Sequence, residues 1–99
     1  MKTSQTQGAI HAIVEGRVQG VGFRAHVAQV AQSLDLTGWV RNKGENQVEV
    51  WAEGSQVNLD TLLAYLQRGP NMAYVSNVQV DRPQPEGKYS QFMVISSTW

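Results

Sequence analysis

The apolar residues of this chain alternate between two spacings, and that alternation restricts the fold more than any other feature. Ile10, Ala12 and Val14 recur every second residue, the period of a strand. Phe23, Val27, Val30, Ala31 and Leu34 then fall at i, i+4, i+7, i+8 and i+11, one apolar stripe along a helix. Thr37 to Asn42 reads as a second strand. In Gln47 to Glu53 the two-residue period returns, with Val48, Val50 and Ala52 inward against Gln47, Glu49, Trp51 and Glu53. Between these strands, Lys43-Gly44-Glu45-Asn46 predicts a hairpin turn, because glycine and asparagine tolerate a left-handed backbone. Leu59, Leu62, Leu63 and Leu66 stripe a second helix, with Ser55 placed to cap its start and Gly69-Pro70 to stop it. Tyr74 to Val80 is a fourth strand whose apolar parity slips between Val75 and Val78, as at a β-bulge, and Gln91 to Ser96 is a short fifth. The order β-α-β-β-α-β predicts an α+β, ferredoxin-like sandwich: an antiparallel sheet with two helices on one face and a short last strand.

A chain of 99 residues can bury one core and not two. Residues 8–99 are therefore read as a single domain behind a flexible polar tail, residues 1–7. No apolar run approaches the ~18 residues of a membrane span, and no apolar segment follows the polar N-terminus as in a secretory leader. A cytoplasmic protein without a membrane partner is expected. The absence of cysteine excludes disulfides, thiolate metal sites and a cysteine nucleophile. His11 and His26 make no recognisable metal site, so neither metal nor cofactor is expected. Eight basic and eight acidic side chains cancel, which gives no reason to expect nucleic acid. Locally, residues 16–44 hold Arg17, Arg24, Arg41 and Lys43 against Asp35 alone. Arg17, Arg41 and Lys43 are read as solvated charges that raise the potential there, and Trp39 and Trp51 as packing aromatics.

Where the first strand gives way to the first helix stands Gly16-Arg17-Val18-Gln19-Gly20-Val21-Gly22-Phe23-Arg24. Gly20 and Gly22 let the backbone turn tightly and approach a ligand, so that successive N–H groups can converge on one anion. The helix start adds unpaired N–H groups and the positive end of its dipole. Arg24 brings a planar fork of donors that matches phosphate oxygens. Taken alone, such a segment reads more readily as a plain strand-to-helix turn whose arginine reaches solvent. It lacks the third glycine of a dinucleotide fingerprint and the Lys-Ser/Thr of a P-loop.

Together with Thr37-Gly38-Trp39-Val40-Arg41-Asn42, this loop resembles the two signatures of the acylphosphatases, in the right order and spacing. The resemblance runs from about Ile10 to Ser96. Weaker agreement comes from Val48-Glu49, Ala52-Glu53-Gly54, Gly69-Pro70 and Phe92-Met93-Val94. One departure is Glu45-Asn46 where the family commonly has Asp-Gly. The resemblance implies hydrolysis of the carboxyl-phosphate bond of a small acyl phosphate, without metal. Residues Gln19, Gly20, Val21, Gly22 and Phe23 would hold the phosphate through their backbone, Arg24 would bind it through its side chain, and Asn42 would orient the attacking water. It also implies inorganic phosphate as product and competing ligand, and a monomer.

Residue chemistry supports these roles independently. Fixed N–H donors and a guanidinium stabilise the charge of a transferring phosphoryl group. Asn42 carries both an acceptor and a donor, as a water-positioning group needs, although an asparagine at a strand end is commonly a turn cap. The leaving carboxylate, with a conjugate-acid pKa of roughly 4, departs unprotonated, so the lack of an obvious general acid fits the chemistry. Two other functions use related architecture. An RNA-recognition module needs a basic, aromatic-rich third strand, and Gln47-Val48-Glu49-Val50-Trp51-Ala52-Glu53 has two acids and one aromatic. A domain that handles carbamoyl phosphate within a larger maturation machine is disfavoured by the short chain.

Overall fold

Alternation in the first strand is realised in β1 (Gln7–Arg17), where Ile10, Ala12 and Val14 are fully buried while His11 and Ile13 face the other side of the sheet. The structure is a computed structural model that describes residues 7–97. Of the anticipated tail, residues 1–6 lie outside the described residues, and Gln7 opens β1. The elements that follow are α1 (Phe23–Ser33), β2 (Thr37–Lys43), β3 (Gln47–Ser55), α2 (Gln56–Arg68), β4 (Tyr74–Asp81) and β5 (Phe92–Val94). Ser55 caps α2 as its side chain predicts, its Oγ accepting the N–H of Asn58 at 3.3 Å.

Sheet order is β4-β1-β3-β2-β5. The first four strands pair antiparallel, and cross-strand register aligns the apolar parity of each: Ile10 opposes Ala52, Ala12 opposes Val50, Val14 opposes Val48, and Val40 opposes Val50 from the other side. That common face receives Phe23, Val27 and Ala31 of α1 and Leu59, Leu62 and Leu66 of α2, which completes one core. Burying those side chains at roughly 1.5–3 kcal/mol each is the main favourable term of the fold.

The expected bulge is present. Glu15 pairs with Asn77 and Gly16 with Val75, which leaves Ser76 of β4 unmatched. Gly16 is required there: at φ 139°, a Cβ would stand 2.1 Å from the Tyr74 carbonyl oxygen.

The expectation of a wholly antiparallel sheet needs correction, because β5 pairs parallel with β2. β4 and β5 lie on opposite edges, so the connection must cross the sheet before β5 can add to β2. Residues 82–91 make that crossing over the face opposite the helices. Glu53 holds them there, accepting the N–H groups of Glu86 and Gly87 at 2.9 and 3.0 Å. Tyr89 Oη accepts the indole N–H of Trp39 at 3.3 Å and donates to Glu86.

Candidate active site

The segment between β1 and α1 is anchored by Val18, which is 1% exposed, and by Val21, which packs against the core. Gly20 and Gly22 both take φ 76°, and Gly22 is the left-handed residue from which α1 starts. Among the described residues, the backbone N–H groups from Gln19 to Ala25 donate to no backbone carbonyl. The first turn of α1 carries no acidic side chain and no side-chain cap. Its first donors therefore have no partner within the backbone, and no acidic side chain offsets the positive end of its dipole. The Gly22 carbonyl is turned the other way, taken by the His26 backbone N–H at 3.0 Å and the His26 Nδ1–H at 2.7 Å. His26 is exposed, and this capping contact was not visible in the sequence.

A concavity of about 200 Å³ lies over this turn, walled by Val18, Gly20, Gly22, Phe23, Arg24 and Ala25 and closed on one side by Val94 of β5. Four expected phosphate-site residues, Gly20, Gly22, Phe23 and Arg24, thus meet in one place. Val21 does not line it, because its side chain is spent on the core. Gln19 stays in the loop by its backbone, but its side chain turns to the β2–β3 hairpin.

Asn42 lies on the helix-covered face, opposite Val48 and two residues beyond Val40, which itself pairs with Val94 of the concavity wall. It is not part of the wall. Its Oδ1 is buried and has no hydrogen-bond partner. Leaving such an acceptor unmet costs roughly 1–3 kcal/mol, and no side chain or backbone N–H of the described residues meets it. Capping the turn is not what this oxygen does.

Arg41 departs from the expected solvated charge. Alternation places it on the far face, where its Nε–H donates to Glu49 at 2.8 Å and its guanidinium stands 4.8 Å over the Trp39 ring. Its charge is therefore neutralised by Glu49 and does not serve the loop.

The acylphosphatase family model matches residues 10–94. The chain belongs to the acylphosphatase family. A curated acylphosphatase of Methylococcus capsulatus is 44% identical over 86 residues, covering 87% of this chain and 94% of the relative. One from Koribacter versatilis is 42% identical over 96 residues, 97% of this chain and 86% of that one. Among solved structures, an acylphosphatase from Coxiella burnetii superposes with a TM-score of 0.87 at 40% identity, covering 95% of this chain and all of that one. The chain is a hydrolase of acyl phosphates, on the ferredoxin-like fold its periodicity predicts.

On the far face of this acylphosphatase fold lies a second concavity of about 350 Å³, with Trp39, Trp51 and Tyr89 among its walls. Its polar groups satisfy one another: Glu49 accepts from His11 Nε2 at 2.6 Å as well as from Arg41, and the Trp51 indole donates to Glu53 at 2.7 Å. Burial alone would raise the pKa of Glu49, but hydrogen bonds from His11 and Arg41 outweigh it and hold the carboxyl below its ordinary 4.5. At Glu53, burial is likewise outweighed by donors from Trp51, Glu86 and Gly87, and its pKa is also lowered. Sequence parity counted both acids as outward residues. Outward is correct, but the 82–91 crossing covers them.

Proposed function

We propose that the concavity over the glycine loop is where the acyl phosphate is cleaved, with the loop N–H groups and Arg24 holding the phosphoryl group and Asn42 orienting the water. The observation that carries this reading is the buried, partnerless Oδ1 of Asn42 on the same side of the sheet as the loop. An acceptor there can take a water's hydrogen and aim its lone pair at phosphorus.

Water attacks phosphorus as the bond to the acyl oxygen breaks, and the electron pair leaves with the carboxylate. Charge on the peripheral phosphoryl oxygens is met by donors already fixed in place by Gly20 and Gly22. The carboxylate needs no proton, and the proton lost by water passes to a phosphoryl oxygen of the substrate itself. No metal is required in this scheme. The proposal extends to residues 8–99 acting as one domain and as a monomer, since every group it invokes comes from one chain.

The test is turnover of an aryl acyl phosphate in the presence of excess chelator, with inorganic phosphate as inhibitor. Undiminished turnover and competitive inhibition are expected. Loss of turnover restored by a divalent ion, or noncompetitive inhibition, contradicts the scheme.

A further inference from the structure

Gln19 belongs to the phosphate loop, but its carboxamide points into the curl of the neighbouring hairpin. Nε2 meets three backbone carbonyls there: Gln47 at 2.9 Å, Gly44 at 3.2 Å and Lys43 at 3.5 Å. A carboxamide has two N–H hydrogens, so the two nearer carbonyls each take one and the third stands at the margin of hydrogen bonding. Three carbonyl oxygens turned toward one point repel each other unless a donor sits among them. Gln19 is that donor.

The clamp grips the hairpin two residues beyond Asn42, at the Gly44 carbonyl, and again at Gln47 on the returning strand. A second tie joins the same two segments, with the Gly16 N–H donating to the Asn46 carbonyl at 3.0 Å. Together these two contacts fix the hairpin tip against the stem of the phosphate loop. The Oδ1 of Asn42, having no partner, cannot fix its own position relative to the loop.

We infer that Gln19 is a positioning residue, which sets Asn42 relative to the glycine loop so that the water on Asn42 stands in line with the phosphorus held by the loop. The inference rests on the water-orienting reading of Asn42. Displacement by even 1 Å misaligns the attack and costs up to about 100-fold in rate. Grip on the phosphate comes from loop N–H groups and Arg24, so the loss falls on kcat and spares affinity.

A double-mutant cycle tests this. Gln19→Met keeps the side chain's length and removes its donors; it is expected to lower kcat roughly 10- to 100-fold while KM and the inhibition constant of inorganic phosphate stay within about twofold. In an Asn42→Ala background the same change should lower kcat no further, because the group being positioned is gone. Gln19→Lys, whose ammonium offers donors to the same carbonyls, should recover most of the lost kcat. If Gln19→Met does not fold, Gln19→Asn, one methylene too short to reach, takes its place in the cycle. An equal proportional loss in both backgrounds, or phosphate affinity falling in step with kcat, overturns the inference alone. Parent-like kcat in Asn42→Ala overturns the reading of Asn42 and the inference with it.

Discussion

Arg41 donates its Nε–H to Oε1 of Glu49 at 2.8 Å, directly across the β2–β3 pair and on the sheet face turned away from the helices. Glu49 is 11% exposed in its side chain and Arg41 31%, so the pair is partly withdrawn from water. Removing the arginine leaves a mostly buried carboxylate with His11 as its remaining partner. Arg41→Met is therefore expected to lower unfolding free energy by about 1–3 kcal/mol, less than a fully buried pair would lose. Turnover of the folded fraction should stay within a few-fold of the parent. Urea denaturation beside a steady-state assay checks both, and a parent-like midpoint would show the pair to be without weight.

Acid should destabilise the fold through Glu49 and Glu53. Both carboxyls are held below the ordinary 4.5 in the folded chain, so each contributes stability that is complete above that value. The contribution is lost as pH falls through the lower, folded values. Thermal midpoints should be level from neutral pH down to about 5 and then fall. The fall should be shallower in a Glu49→Gln, Glu53→Gln double variant. An equally steep fall in that variant would assign acid sensitivity to other groups.

The helix-facing half of the fold was legible from sequence because each strand carries its own parity. Val14, Val48 and Asn42 sit in one cross-strand row simply because their alternation agrees. The slip between Val75 and Val78 even located the bulge at Ser76. The other face was not legible in the same way. Alternation says that Glu49, Trp51 and Arg41 share a side, but not that residues 82–91 will cross and cover it. That crossing follows from the opposite-edge placement of β4 and β5, which no local pattern encodes. For the site, Gly20, Gly22 and Arg24 were readable because glycine spacing and a guanidinium are local signals. The Gln19 clamp was not, because its three carbonyls belong to a hairpin more than twenty residues away.

Arg24 lines the concavity beside Gly20 and Gly22, and its planar fork can give two parallel hydrogen bonds to phosphoryl oxygens. Arg24→Lys retains the charge and loses that geometry. It is expected to lower kcat/KM by roughly 10²-fold, with Arg24→Ala lower still and both variants folded as the parent. Phosphate affinity measured by inhibition should fall in parallel. Near-parent activity in Arg24→Lys would show that the residue supplies only diffuse charge.

The central claim is that loop and asparagine divide the work, one holding phosphate and the other aiming water. Asn42→Ala separates them, since its Oδ1 is a buried acceptor without a partner whose removal takes no hydrogen bond from the fold. The variant should unfold at the parent's midpoint or above it. The measurement is kcat for an aryl acyl phosphate together with the inhibition constant of inorganic phosphate, both on Asn42→Ala. The account predicts a kcat lower by on the order of 10²-fold or more with phosphate affinity unchanged. Phosphate affinity lost in proportion to kcat would place Asn42 in the cradle and contradict it.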